Sequence, residues 1–383
     1  MKEGRPLPDL ATELGRQVNA KKDLLVDAGE LSVRSNGHTS LMLGDTYPIR
    51  PIAHDQLADY LSIPRAFYNR LREDTSLTIP VPGEENAGGE ASANPTGSLL
   101  FDVVVNCLLA ERAGDRRLVR TLDGEARAFL SDGFSVDLDN HDVFLMAAKV
   151  ITEAGLGPDH VVSAEVTERR LYLKVVSPRL EATIRPGNVR DGHGYLKEPQ
   201  VVQAGFLLTN SETGLGSLSV QQLVMKLMCT NLWIREDAYR QRHVGRSLES
   251  DESGGIYRSD TRLADARARL LKVRDHIQAA LDETVFLETV ARMQQAADVP
   301  LTGGIEKTVD LTAKKLGLLQ SEKEAVLRSL IEGADLSLWG LSNAITATAS
   351  AVKDYDRSTD LEALGGRLLF LPESEIREIA SAA

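Results

Sequence analysis

The chain has 383 residues, of which 42% are hydrophobic and 26% are charged, so its composition excludes a collagen-like, mucin-like or wholly disordered protein. Its 56 acidic and 44 basic residues give a net charge of −12, which excludes a histone-like protein that coats DNA by bulk charge. Any anion that it binds must therefore meet a local basic patch, and an aromatic content of 5% argues against a carbohydrate-stacking groove.

The cysteine content and the apolar runs predict where the protein works. Cys107 and Cys229 both lie in apolar sequence and predict buried thiols in a reducing compartment. The N-terminal segment lacks the apolar core of a signal peptide, and no run of about 18 apolar residues predicts a spanning helix. We therefore expect a cytoplasmic protein without a membrane partner.

The first 255 residues predict strands and helices in irregular order, which favours α+β over a doubly wound sheet. Apolar residues at helical spacing predict helices over 9–20, 54–72, 99–112, 140–154 and 221–230. Alternating patterns and turn residues predict strands within 31–52 and 116–130, a hairpin of 161–166 with 171–176, and strands at 181–184, 200–209 and 217–220. The Gly- and Pro-rich stretch near 80–98 predicts a flexible loop.

The composition changes after Gly254-Gly255, and the remainder is predicted to be mainly helical. The predicted elements are one or two helices over 258–297, helices at 305–316, 321–332 and 337–354, and a helix–strand–helix tail over 361–380. Ser321 with Glu324 fits a capping box. The expected fold is thus an α+β domain over residues 1–255, with a mixed, mainly antiparallel sheet and packed helices, followed by an all-helical region over 256–383.

The segment 56–71 has the spacing of a helix–turn–helix, with a Ser-Ile-Pro turn at 62–64. Its second helix would display Arg65, Asn69, Arg70 and Arg72, as a helix that enters the major groove does. An ordinary helical hairpin requires the same apolar positions, and the neighbouring Phe67 and Tyr68 suit packing better than base contacts.

Two arginines flank the predicted turn at Asp123-Gly124. Arg120 and Arg127 would lie on neighbouring strands, and two adjacent guanidinium groups bind phosphate well because arginine binds it bidentately. The alternative is that they pair with nearby carboxylates, namely Asp123, Glu125 or Asp132.

Basic and aromatic residues interleave in only one stretch, from Arg235 to Arg246, with Trp233 and Tyr239 nearby. Its candidate contacts are Trp233, Tyr239, Arg240, Arg242, His243 and Arg246. Base stacking together with phosphate contacts is how proteins hold single strands without sequence preference. A solvated loop pinned by salt bridges is the alternative interpretation.

Two loops could bind ions but favour structural roles. The carboxylates of 131–140 lack the spacing of a calcium loop, and Asp139 or Asn140 is expected to cap the helix that follows. The segment 209–217 could hold an anion on exposed N–H groups, but it lacks a Walker pattern and favours a hairpin turn. No metal-ligating or nucleophile motif occurs, so we predict no catalytic residue, metal or cofactor.

Several segments together resemble a known family. They are Leu118–Asn140, Gln203–Ser219, Cys229–Asn231 with Arg240–Gly245, and Leu341–Arg357 with Gly365-Gly366. This combination resembles the phage- and plasmid-like protein family that carries a domain of unknown function, over about residues 55–370. The chain departs from it at Gly133-Phe134, where a basic and an aromatic residue are expected. The resemblance implies no activity, but its setting on mobile elements implies a task in DNA replication, recombination or host interaction.

The leading hypothesis is a non-enzymatic protein that binds or anneals single-stranded DNA. Phosphates would be bound by Arg120, Arg127, Arg240, Arg242, His243 and Arg246, and bases would stack on Trp233 and Tyr239. One alternative is an interaction protein whose C-terminal helices build a homo-oligomer or dock a partner. Another is a metal-dependent DNA-processing enzyme that uses Asp132, Asp137 or Asp139.

Overall fold

A computed structural model describes residues 1–36, 38–74, 76, 78–80, 97–134, 138–185, 199–227, 231–235, 239–241 and 259–382. The fold is α+β, with antiparallel sheets and a helical C-terminal part. The described residues form two compact units, the first from Met1–Leu14, Asp137–Arg242 and Ser259–Ala383, and the second from Gly15–Val136. The sequence-predicted division at residue 255 differs from this grouping, because the helices after residue 259 pack on the sheet of the first unit.

The elements of the described residues are numbered in chain order. The helices are α1 (Leu7–Ala20), α2 (Pro51–Tyr60), α3 (Arg65–Glu73), α4 (Leu100–Ala110), α5 (Asn140–Glu153), α6 (Ser259–Ala280), α7 (Glu283–Ala297), α8 (Ile305–Leu316), α9 (Gln320–Gly333), α10 (Leu338–Thr348), α11 (Tyr355–Leu369) and α12 (Glu373–Ala380). The strands are β1 (Lys21–Asp27), β2 (Ser32–Asn36), β3 (His38–Leu43), β4 (Asp45–Pro48), β5 (Thr78–Pro80), β6 (Gly97–Leu99), β7 (Arg116–Leu122), β8 (Glu125–Ser131), β9 (Val161–Val166), β10 (Leu171–Arg185), β11 (Gln200–Asn210), β12 (Leu218–Lys226), β13 (Leu232–Ile234) and β14 (Tyr239–Gln241).

The second unit contains two three-stranded antiparallel sheets, β1-β7-β8 and β2-β3-β4. Asp123 and Gly124 connect β7 to β8 with positive φ angles of 56° and 79°, which a two-residue type I′ hairpin turn requires. The predicted hairpin over 116–130 is therefore confirmed. Val33, Leu57 and Phe101 lie in the core between the strands and the helices α2 to α4.

The sheet of the first unit has the strand order β9-β10-β11-β12-β13, and β14 pairs with the other end of β12. On one face, Leu173 and Phe206 pack with residues of α5 and α6, and farther along Val224 packs with residues of α7. The opposite face carries Tyr172 and packs against Tyr355 of α11. Helices on both sides therefore cover this sheet.

A buried ion pair lies on the sheet face that carries Tyr172, where α11 packs. Lys174 of β10 and Glu362 of α11 have fully buried side chains, and Nζ donates to Oε2 over 2.5 Å. The ring of Tyr355 lies 5.0 Å from the same ammonium group. Strand β10 and helix α11 are thus joined by charge as well as by apolar contact.

Three local predictions are wrong. A helix was predicted over 221–230, but strand β12 continues through Lys226. The prediction failed because both faces of this strand are buried, so its sequence shows no alternating pattern. The tail consists of α11 and α12, without the expected strand. Helix α9 is capped by Glu322, whose Oε2 accepts a hydrogen bond from the N–H of Leu319 over 2.7 Å, so the capping pair lies two residues before the predicted one.

Two expectations concern the environment of the chain. Cys107 lies exposed on α4, so its predicted burial is wrong, and Cys229 lies outside the described residues. Within the part of the chain that the structure describes, every helix is too short or too polar to cross a bilayer.

Candidate functional site

Two arginines that were predicted to bind phosphate are buried in the second unit. Arg120 is 1% exposed, and its Nε and Nη2 donate to the two carboxylate oxygens of Asp23 over 2.7 Å each. Arg127 is 2% exposed, and its Nη1 donates to Gln17 over 3.4 Å. The prediction that these guanidinium groups contact phosphate is wrong for this fold, because neither reaches solvent and a carboxylate already occupies the fork of Arg120.

Trp233 is also buried, in the core of the first unit. Its ring stacks on Trp339 with a centroid distance of 4.6 Å and an interplanar angle of 23°. Its Nε1 donates to Ser342 Oγ over 2.9 Å, and the residue is 2% exposed. The prediction that Trp233 stacks on nucleic-acid bases is therefore wrong, since both its ring and its N–H have partners within the protein.

The predicted helical hairpin is confirmed as α2 and α3, with Ser62 in the turn at a φ of 59°. Arg65 at the start of α3 pairs with Asp59 over 2.5 Å and with Asp55 over 3.2 Å. Its hydrogen bond to Asp59 lowers the pKa of that carboxyl group. The two carboxylates beside this guanidinium group repel a DNA phosphate, which argues against the prediction that α3 enters the major groove. Phe67 is 52% exposed, contrary to the expectation that it packs.

The loop after β11 has a structural role. Asn210 donates through Nδ2 to Asn140 Oδ1 over 2.9 Å, and both residues are buried. Glu212 accepts a hydrogen bond from the N–H of Asn140 over 2.7 Å and so serves the start of α5, where a negative charge is favourable. Asp139 takes the N-cap position without a side-chain capping bond. The carboxylate of Glu212 thus performs the capping that was expected of Asp139 or Asn140.

The surviving aromatic candidate, Tyr239, lies against α6 in the first unit. Its ring stacks on His276 with a centroid distance of 4.2 Å and an interplanar angle of 18°. Partial burial raises the pKa of the Tyr239 hydroxyl group, and the positive charge of Arg269 opposes that change. Tyr239 is half-buried whereas His276 is exposed, so the stack has an outer side that meets solvent.

Basic residues follow the same edge of α6. Arg269, Lys272 and His276 have the i, i+3, i+7 spacing that places side chains on one face of a helix. Lys272 is exposed, and Arg269 pairs with Asp265 over 2.6 Å. Over residues 264–276, the four arginine and lysine side chains outnumber the acidic Asp265 and Asp275. We call Tyr239, Arg269, Lys272 and His276 the α6 edge.

Arg240 is exposed at the same strand, β14, but on its other side. Its register partner is Ser219 of β12, whereas Tyr239 pairs with Val220. Because successive side chains of a strand point to opposite faces, Arg240 projects from the sheet face opposite to Tyr239. Arg242, His243 and Arg246 lie outside the described residues.

Sequence reasoning missed most of the α6 edge. The helical spacing of Arg269, Lys272 and His276 was a usable signal, but only the fold brings α6 beside Tyr239. Among the described residues, no three His, Cys, Asp or Glu side chains are grouped so as to hold a metal ion, and Asp137 lies outside those residues.

Comparison with known proteins gave no relative. No family model, no curated protein and no solved structure matches this chain. The resemblance to the phage- and plasmid-like family therefore stays a prediction, and the function must be argued from the molecule itself.

Proposed function

We propose that this protein binds single-stranded DNA along the α6 edge, in a recombination or replication task of a mobile element. The stack of Tyr239 on the exposed ring of His276 carries the proposal. Every base has a π-face, so an aromatic platform holds a strand without regard to sequence. The outer face of His276 serves as that platform.

The charge distribution supports the same surface. The chain as a whole is acidic, with a net charge of −12, and it repels a polynucleotide from most of its surface. Arg269 and Lys272 flank the stack along α6, whereas Arg240 projects from the other face of β14 and does not contribute to this surface. A strand that stacks on His276 therefore has cations within reach of its phosphates, which makes its affinity salt-dependent.

Fluorescence anisotropy of a labelled oligothymidylate tests the proposal on the full chain. We expect saturable binding at low salt that weakens as salt rises, with a log–log slope of about −0.7 for each phosphate neutralised. His276→Ala should cost about 1–3 kcal/mol by loss of stacking. Lys272→Glu should weaken binding and flatten the salt dependence.

Arg328→Glu supplies the matched control, because Arg328 is an exposed arginine on α9 and its replacement changes the net charge by the same amount as Lys272→Glu. If Arg328→Glu and Lys272→Glu weaken binding equally, the effect is one of net charge and the α6 edge is not the site. No binding at low salt would refute the proposed function itself.

A second candidate function, self-association through the C-terminal helices, is supported by exposed apolar side chains around α9. Leu319 and Ile331 are each 58% exposed, and Leu336 is 45% exposed. Light scattering on the full chain and on Ile331→Glu distinguishes this candidate. An oligomer that dissociates in the variant supports it, whereas a monomer in both samples removes it.

A further inference from the structure

Strand β1 forms one edge of its sheet in the second unit. Among the strands that the structure describes, β1 pairs only with β7. The N–H of Ala28 donates to the carbonyl oxygen of Asp115 over 2.9 Å, which places the even-numbered residues of β1 in the hydrogen-bonded positions opposite β7. These positions alternate along an antiparallel strand, so the backbone groups of Asp23, Leu25 and Asp27 point away from the sheet.

This edge can accept another strand. Within the described residues, the backbone groups of Asp23 and Leu25 make no hydrogen bond, and the side chain of Leu25 is 40% exposed. A row of such N–H and C=O groups is a template for pairing with a further chain. Lys21 and Lys22 lie at one end of the strand and discourage unspecific pairing, so a strand that pairs here must suit the charges of β1.

Two carboxylates are held at fixed positions on this edge. Asp23 binds the guanidinium group of Arg120 through both of its oxygens. Asp27 accepts a hydrogen bond from the N–H of Gly29 over 2.8 Å and another from the N–H of Gly114 over 2.9 Å. Because neither carboxylate is free to turn away, a strand with a negative charge directly opposite either of them is disfavoured.

The order of charges selects the strand that fits, which is a second, antiparallel copy of β1. In the register that pairs Leu24 with its own copy, Lys21 lies opposite Asp27 and Asp23 lies opposite Leu25. The two neighbouring registers that use the same outward backbone groups set Asp23 opposite Asp23 or opposite Asp27. Like charges directly opposite each other destabilise a strand pair, and a parallel pair in register aligns every charge with its own kind.

We propose that two copies of this chain associate through β1, in the register centred on Leu24, so that two three-stranded sheets become one continuous sheet. The two Leu24 side chains meet on one face, and the two Leu25 side chains lie diagonally on the other, within reach of long side chains. The pairing is isologous, as a two-fold dimer requires. This surface is separate from the α6 edge and from the apolar side chains around α9, and the proposal depends on neither.

Sedimentation equilibrium of the full chain tests the association. A pair of seven-residue strands is a small interface, so we expect a reversible dimer with a dissociation constant on the order of 10 µM. Hydrogen exchange by mass spectrometry gives a local measurement, because the outward N–H groups of β1 gain partners in the dimer and should exchange more slowly as concentration rises. A chain that stays monomeric at about 200 µM, or β1 exchange that is equal in monomer and dimer, would refute the proposal.

A proline variant tests the edge itself. Leu25→Pro removes an outward N–H that β7 does not use, and an edge strand tolerates proline at such a position. We expect this variant to fold and to remain monomeric. An oligomer that persists in Leu25→Pro but dissociates in Ile331→Glu belongs to the surface around α9 and overturns the proposal.

A pair of charge variants tests the register. Leu25→Glu sets a carboxylate opposite Asp23 of the second copy, whereas Leu25→Lys sets an opposite charge there. Because this contact occurs twice in a two-fold dimer, Leu25→Lys should dimerise roughly two- to thirtyfold more tightly than Leu25→Glu. Equal dimerisation of the two variants would overturn the proposed pairing.

Leu145 supplies the matched control for net charge, because it is a leucine of α5 that is 52% exposed. Leu145→Glu and Leu145→Lys should both dimerise as the unaltered chain does. If they reproduce the difference between the two Leu25 variants, net charge explains that difference and the assignment to β1 fails. If Leu25→Pro proves unfolded by circular dichroism, the Leu25 and Leu145 charge variants decide alone.

Discussion

Removing either member of the buried pair Lys174–Glu362 should damage the first unit far more than removing both. Both side chains are 0% exposed, and their charged atoms lie 2.5 Å apart. Burial lowers the pKa of Lys174 and raises the pKa of Glu362, so each charge depends on the other for its stability. Glu362 Oε1 has no hydrogen-bond partner among the described residues, which makes this carboxylate costly to bury.

These observations set the expected magnitudes. Lys174→Met leaves a carboxyl group alone in an apolar core, which costs about 3–5 kcal/mol of unfolding free energy. The double variant Lys174→Met with Glu362→Leu fills the space with apolar groups and should lie between neutral and about 4 kcal/mol more stable. At about 2–4 °C per kcal/mol for a unit of this size, the single variant should melt roughly 6–20 °C lower.

Tryptophan fluorescence gives a selective measurement. The chain has only two tryptophans, Trp233 and Trp339, and both lie in the core of the first unit. Their emission during urea titration therefore reports the unfolding of that unit. A cost below about 1 kcal/mol for Lys174→Met, or a double variant as unstable as the sum of the single changes, would refute the electrostatic reasoning.

Two further predictions concern one residue each. Burial, and to a smaller extent the charge of Arg72, lowers the pKa of His54 from 6.5 to about 3, so folding excludes a proton that the unfolded chain binds below pH 6.5. The free energy of unfolding of the second unit should therefore fall by about 1.4 kcal/mol for each pH unit between pH 6.5 and pH 3. Hydrogen exchange of the α2 amides at pH values near 6 measures this slope. The slope should disappear in His54→Phe and persist in the control His38→Gln. A Cβ on Gly366 would lie 2.1 Å from the carbonyl oxygen of Ile234, so Gly366→Ala should cost about 1–3 kcal/mol in the urea titration. Gly333→Ala, where no atom lies within 4 Å of the added carbon, should be neutral or stabilising, and equal costs at the two sites would contradict the packing argument.

Elements with local signals could be predicted from the sequence. The β7–β8 hairpin follows from Asp123-Gly124, because few residue pairs accept two positive φ angles. Helix α8 was predicted at its observed bounds, since its apolar positions recur at helical spacing. Strand β12 could not be recognised in the same way. Leu223 in the strand and the exposed Leu227 just after it have helical spacing, and burial of both faces of β12 removes the alternation that would have indicated a strand.

The candidate site was harder to predict, because burial depends on distant partners. The sequence around Arg120 predicts a phosphate ligand. In the sheet, however, Asp23, which is 97 residues earlier in the chain, lies opposite Arg120 and binds its guanidinium group. The sequence around Trp233 predicts a residue that stacks on nucleic-acid bases, but in the fold its ring stacks on Trp339. Residue type therefore indicated which chemistry was available, and only the tertiary structure showed which groups reach solvent.

The interleaved order of the two units has a consequence for synthesis on the ribosome. Leu10 and Leu14 belong to a core whose sheet residues begin beyond position 160, and the described part of the second unit lies within residues 15–136, between them. The described residues of the second unit are therefore all present in the nascent chain before the first unit has its sheet. Domains fold as units while they emerge, so the earliest segment waits for the latest ones. Lys174 in particular has no counter-ion until α11 is translated, and a ribosome stalled before that helix would present an incomplete core that chaperones recognise.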